Sequence, residues 1–148
     1  MRVRRLPWWQ TGVCVSLLVW SLGCLAHHAF SAEFDANAPV VVRGRVTRVE
    51  WINPHAWIHV EAQTAQGDIE RWMFETGTPN TLARAGVTRN ILAPGTALVV
   101  RGYRSKNPNC QPACKANGRD IQFADGRQVF VGSRDTGAPM DGADPLRR

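Results

Sequence analysis

Residues 39–51, Pro-Val-Val-Val-Arg-Gly-Arg-Val-Thr-Arg-Val-Glu-Trp (PVVVRGRVTRVEW), alternate apolar and polar side chains with a period near two. That period marks a half-buried strand. It breaks once: Val40, Val42 and Val46 share one parity, whereas Val49 and Trp51 fall on the other. Successive strand side chains point to opposite faces, so a change of parity requires an inserted residue or a sharp bend. Gly44 stands in the middle of the run. The pattern predicts one long strand, bent near its centre and shared between two parts of a sheet.

The strand ends in the densest group of unusual residues in the chain, Trp51-Ile52-Asn53-Pro54-His55-Ala56-Trp57-Ile58-His59-Val60. Pro54 disfavours helical geometry at Asn53, whose side chain can bond its own backbone and shape a corner. A second strand is expected over His55–Thr64, with Ala56, Ile58, Val60 and Ala62 on one face. His55, Trp57, His59 and Glu61 lie on the other. After a turn at Ala65-Gln66-Gly67-Asp68, a third strand is expected over Ile69–Glu75.

The one helical signal follows. Thr78 is a good N-cap, Pro79 suits the first helical position, and Gly86 stops the run. Ala97–Arg104 reads as a fourth strand. Ser105–Gly118, rich in Asn, Pro and Lys, reads as an exposed excursion. Asp120–Phe123 and Gln128–Val131 flank an Asp125-Gly126 hairpin signal. From residue 133 the chain is nearly devoid of apolar side chains, and disorder is expected. Three strands, a helix, a strand and a closing hairpin predict an all-β domain with one short helix. The expectation is a closed barrel of five to six strands resembling the oligonucleotide/oligosaccharide-binding (OB) fold, with its helix between strands three and four. The rival is an immunoglobulin-like sandwich, which has no helix after its third strand.

The first 26 residues read as an export signal. Arg2, Arg4 and Arg5 precede an uncharged apolar run from Gly12 to Ala26. That run is shorter than the roughly 20 apolar residues a membrane span needs. Cys24 and Ala26 suit a cut before His27. Gly23-Cys24 alternatively suits lipid attachment, although Ser21-Leu22 puts leucine one place too near Cys24. Membrane association is expected only through such a lipidated or uncleaved N-terminus. The chain has 18 basic and 12 acidic side chains in 148 residues. Three arginines leave with the leader, so the mature part is only mildly basic. Export and mild charge argue against a nucleic-acid partner, although Arg43, Arg45, Arg48, Arg71, Arg101 and Arg104 beside Trp57 are the residue types that bind single strands. Of the four cysteines, Cys110 and Cys114 lie outside the leader, and an oxidising compartment favours a disulfide between them.

All four histidines lie between residues 27 and 59. A cut before His27 would expose its amine together with its imidazole. An amine and imidazoles form a nitrogen-rich set suited to copper. His55 and His59 are four residues apart on one strand, about 13 Å, too far to share an ion through bonds of about 2 Å. The candidate copper set is His27, His28 and His55, with Glu33 or Asp35 accepting hydrogen bonds behind the ligands. Trp51, Asn53, Trp57 and His59 are candidate contacts for another ligand. No phosphate loop, zinc-protease helix or Ser-His-Asp pattern is present. The expectation is a non-enzymatic binding or accessory module in the periplasm or secreted medium, with copper binding, or oligosaccharide or oligonucleotide binding, as alternatives.

Several motifs also resemble a catalogued family. His27-His28-Ala29-Phe30-Ser31-Ala32-Glu33-Phe34-Asp35, Gly44-Arg45-Val46, Trp51-Ile52-Asn53-Pro54-His55, Trp72 with Glu75, and Leu92-Ala93-Pro94-Gly95 are similar to the bacterial domain of unknown function 6152. The resemblance spans roughly residues 27–131 and departs in the cysteine loop and the tail. It implies export and fold, and brings no activity with it.

Overall fold

The structure, a computed structural model, describes residues 28–133, 138 and 139. Most of its regular structure is strand. The order is α1 (His28–Glu33), β1 (Phe34–Glu50), β2 (Trp57–Gln63), β3 (Ile69–Glu75), α2 (Pro79–Arg84), β4 (Ala97–Ser105), β5 (Cys114–Phe123) and β6 (Gln128–Phe130). They form one sheet ordered β3-β2-β1-β4-β5-β6, and β3 additionally pairs with β5. That extra pairing is parallel, and every other pairing is antiparallel.

β1 divides its partners as the parity break requires. Phe34 to Arg45 lie against β4, and Arg45 to Glu50 lie against β2. The β1–β2 register slips between Val46 and Arg48, which makes Thr47 the inserted residue. Val42 and Val46 are buried before the slip, and Val49 and Trp51 pack on the same core after it. Gly44 permits a close approach of β1 to β2: a Cβ there would strike the Glu61 carbonyl oxygen and lie 2.6 Å from Val60 Cγ1. The core is filled by alternate residues of β2 (Ile58, Val60, Ala62), by Trp72 and Phe74 of β3, and by Leu98, Val100 and Ile121. Leu82, Val87 and Leu92 from the α2 region complete it.

α2 forms as its signals predict. Thr78 Oγ1 accepts from the Thr81 amide, Pro79 opens the helix, and Gly86 follows its end with φ 77°. The helix that a sandwich would lack is therefore present. The Asp125-Gly126 turn joins β5 and β6, with the Phe123 amide donating to the Arg127 carbonyl at 2.9 Å.

Two elements depart from expectation. A second helix, α1, precedes β1 where none is signalled. Six residues cannot sustain a helix in water by propensity. α1 is held by packing, because Phe30 and Phe34 join Tyr103 and Ala138 in a second buried cluster. Phe30 meets Tyr103 edge-on at 5.6 Å. The other departure is the excursion, which ends early. Cys114 already begins β5, because its segment gains two neighbours at once: β3 through Trp72–Glu75, and β4 through Tyr103 and Arg104. Of the tail, Ser133, Ala138 and Pro139 are described, and the Pro139 carbonyl accepts from Arg119 Nη2 at 2.7 Å. The remaining tail residues and the leader lie outside the described residues.

Gly44→Ala is expected to lower stability by about 1–3 kcal/mol or more, since the obstructing atom belongs to a paired backbone. Chemical denaturation checks this.

Candidate functional site

The outward residues of β2 do not face bulk water alone. Trp57, His59 and Glu61 are all half-buried, opposite the buried Ile58, Val60 and Ala62. Register sets their neighbours. Trp57 lies between Glu50 and Glu75, His59 between Arg48 and Met73, and Glu61 between Arg45 and Arg71. Lys115 is in register with Met73, and Asn117 with Glu75, which continues two of these rows onto β5.

Lys115 joins the parts of this face. Its Nζ forms an ion pair with Glu33 at the end of α1 and lies 3.9 Å from Glu75 Oε2. It also sits 4.6 Å from the Trp57 ring centroid and 5.8 Å from that of Phe34. An ammonium above an indole face is a favourable cation–π contact. Trp57, a candidate stacking residue, therefore has a lysine of its own chain against its ring. Trp51 packs against the core with Arg89 5.4 Å from its centroid. Asn53 is exposed and precedes Pro54 through a cis peptide bond at the corner.

The corner fixes His55. It precedes β2 rather than opening it, because Ala56 pairs with the segment after β3. The Ala56 amide donates to Gly77, and the Thr76 amide and hydroxyl both donate to the Ala56 carbonyl, each near 3 Å. His55 Nδ1 lies 3.0 Å from the Thr76 carbonyl oxygen. A carbonyl only accepts, so Nδ1 carries the hydrogen and Nε2 of the neutral ring keeps its lone pair. That nitrogen is 3.7 Å from Glu75 Oε1. Burial pushes the Glu75 carboxyl above its ordinary value of 4.5, and Glu33 adds to this, while His55 and Lys115 act against it.

His59, a candidate ligand contact, is paired within the chain. Its Nε2 donates to Glu50 Oε1 at 2.9 Å, and Arg48 holds the same oxygen at 2.8 Å. Burial and then Arg48 lower its pKa below 6.5, against the pull of Glu50. The disulfide is present between Cys110 and Cys114. Its loop supplies Pro112 and Ala113 to one wall of a groove of about 420 Å³ on the outer side of β1–β3. Thr47, Arg48, His59 and Met73 line the rest with Arg71 and the flanking glutamates. Of the candidate copper set, the structure describes only the His55 side chain; those of His27 and His28 lie outside the described residues. Among the described residues no three His, Cys, Asp or Glu side chains converge on one ion, and no helix is long and apolar enough to cross a membrane.

A family model, described as a family of unknown function (DUF6152), matches residues 15–113. The chain belongs to this family. No curated protein and no solved structure matches it. The DUF6152 match contains the corner, His55, Trp57, His59 and Glu75, and stops before Lys115 and Asn117. Sequence reading had no signal for Lys115 and Asn117. They reach Trp57 and Glu75 only through the parallel β3–β5 pairing.

The two perturbed groups have opposite linkage. His59 is lowered in the folded state, so its contribution is present above pH 6.5 and is lost as pH falls through the lower folded value. Glu75 is raised, so its contribution is present below pH 4.5 and is lost as pH rises through the raised value. His59→Gln is expected to flatten the fall in stability between pH 7 and 5. Glu75→Gln should remove the opposing slope above pH 4.5. Denaturation midpoints across that range for both variants check the signs.

Proposed function

We propose that this chain is an exported, OB-like β-barrel of the bacterial envelope that acts as a non-enzymatic binding module. The parallel pairing of β3 with β5 across the ladder, and α2 between β3 and β4, support the barrel reading. The observation that carries the binding reading is the groove on the β1–β3 face between Thr47-Arg48 and the disulfide loop. OB barrels take ligands on the face of their second and third strands, and a volume of about 420 Å³ suits a small molecule. Arg48 and Arg71 stand among Glu50 and Glu61, beside the apolar Met73, Pro112 and Ala113. The fitting ligand is small and polar with charges of both signs, such as a short peptide.

NMR titration with zwitterionic tripeptides, and with short oligosaccharides as a second arm, tests this. The expected result is shifts concentrated at Arg48, His59, Arg71 and Met73, with binding weakened at least fivefold by Met73→Glu. Shifts elsewhere, or none, count against the groove. The export reading has its own measurement. Expression with the natural leader is expected to yield an envelope protein beginning at His27, two hydrogens lighter than its reduced form. A mass retaining residues 1–26, or one with lipid on Cys24, overturns simple cleavage.

A second reading is copper binding through His27, His28 and His55. The favouring observation is the tautomer of His55, whose Thr76 hydrogen bond leaves Nε2 able to donate to a metal.

A further inference from the structure

His55 and Glu75 face each other at ion-pair range with no hydrogen bond between them. The 3.7 Å between Nε2 and Oε1 is beyond hydrogen-bond range, where donor and acceptor lie about 2.7–3.2 Å apart. Two donors each about 2.0–2.2 Å from one ion lie about 3.4 Å apart at a tetrahedral angle, and somewhat farther apart at a wider one. The separation fits an ion held between the two atoms. The imidazole is also oriented in advance. Ligating histidines commonly donate their other ring N–H to a carbonyl or carboxylate, which fixes tautomer and ring direction. Here Thr76, itself 1% exposed and anchored to Ala56, supplies that carbonyl.

The Glu75 carboxylate divides its oxygens. Oε2 faces the Lys115 ammonium at 3.9 Å, while Oε1 faces His55. An ion on the imidazole side therefore does not need the place that Lys115 occupies. A third donor comes from β5. Asn117 is 4% exposed, and its Oδ1 has no hydrogen-bond partner among the described residues. A buried amide oxygen without a partner is destabilising. Asn117 is the register partner of Glu75, and such partners share a face. Side-chain amide oxygen is a recognised ligand for hard cations and is compatible with imidazole–carboxylate sites.

We propose that His55 Nε2, Glu75 Oε1 and Asn117 Oδ1 form a binding site for a divalent first-row cation of the zinc or copper(II) class, with water completing the coordination. The site shares His55 with the copper reading and uses none of the leading residues, so the two can fail separately. No bond is made or broken apart from coordination, and Lys115 keeps its pair with Glu33.

Calorimetric titration with Zn²⁺, and separately with Cu²⁺, tests the site on the protein recovered after expression with its own leader. One equivalent is expected to bind, with Glu75→Gln and His55→Gln each weakening it at least tenfold and Asn117→Ala at least threefold. Inserting a residue before His27 should change it less than twofold. Lys115→Met, which removes a positive charge beside Glu75 and no ligand, should tighten binding. Glu75→Gln keeps the side-chain shape, and its unfolding midpoint shows whether the fold survives. Absence of binding in the folded protein, or equal binding by Glu75→Gln, overturns the proposal. Binding abolished by the insertion and untouched by Glu75→Gln overturns it in favour of the His27–His28 set.

Discussion

The bend in β1 is the constraint on which the rest of the molecule depends. A seventeen-residue strand cannot lie flat and serve β4 with its first half and β2 with its second. The inserted residue at Thr47 and the missing side chain at Gly44 let it turn from one neighbour to the other while Val42, Val46 and Val49 stay with the core. A single-residue slip reverses which side chains face inward, so the insertion also decides the outer face. It puts Arg48 and Glu50 beside His59 and Trp57. The core and the candidate site are two faces of one register.

The outer face follows from that register together with the β3–β5 pairing. Lys115 reaches Trp57, Glu75 and Glu33 from a strand that is remote in sequence, and Glu33 reaches Lys115 from a helix that docks through Phe30. Charges at this depth are less screened than surface ions and must be paired. Most are. Lys115 has two carboxylates, and His59 has Glu50. Exceptions stand out against that background: the Nε2 of His55 lacks hydrogen-bond contact with Glu75, and Asn117 Oδ1 lacks any partner among the described residues.

Local patterning made much of the architecture legible. The third strand has its expected bounds, the helix at Pro79 has its expected cap, and the second strand alternates as its sequence does. Each rests on interactions within a few residues. α1 was illegible because His-Ala-Phe-Ser-Ala-Glu carries no capping signal, and its stability comes from Tyr103, about seventy residues away. The start of β5 was missed for a similar reason. Asn, Pro and Lys around Cys110 read locally as loop, while pairing on two sides outweighs that composition at Cys114.

The sequence by itself determined the alternation that separates core from outer face, the corner at Asn53-Pro54, the cysteine pair, and the choice of His55, Trp57 and His59 as residues apart from the core. Periodicity and turn chemistry act over short range, so they can be read in one dimension. Only the tertiary structure decided that Trp57 lies under Lys115, that Glu75 is the carboxylate facing His55, and that Asn117 is buried beside it. Those relations are set by strand register between distant segments. Register depends on how the whole apolar set packs at once, and no single segment encodes it.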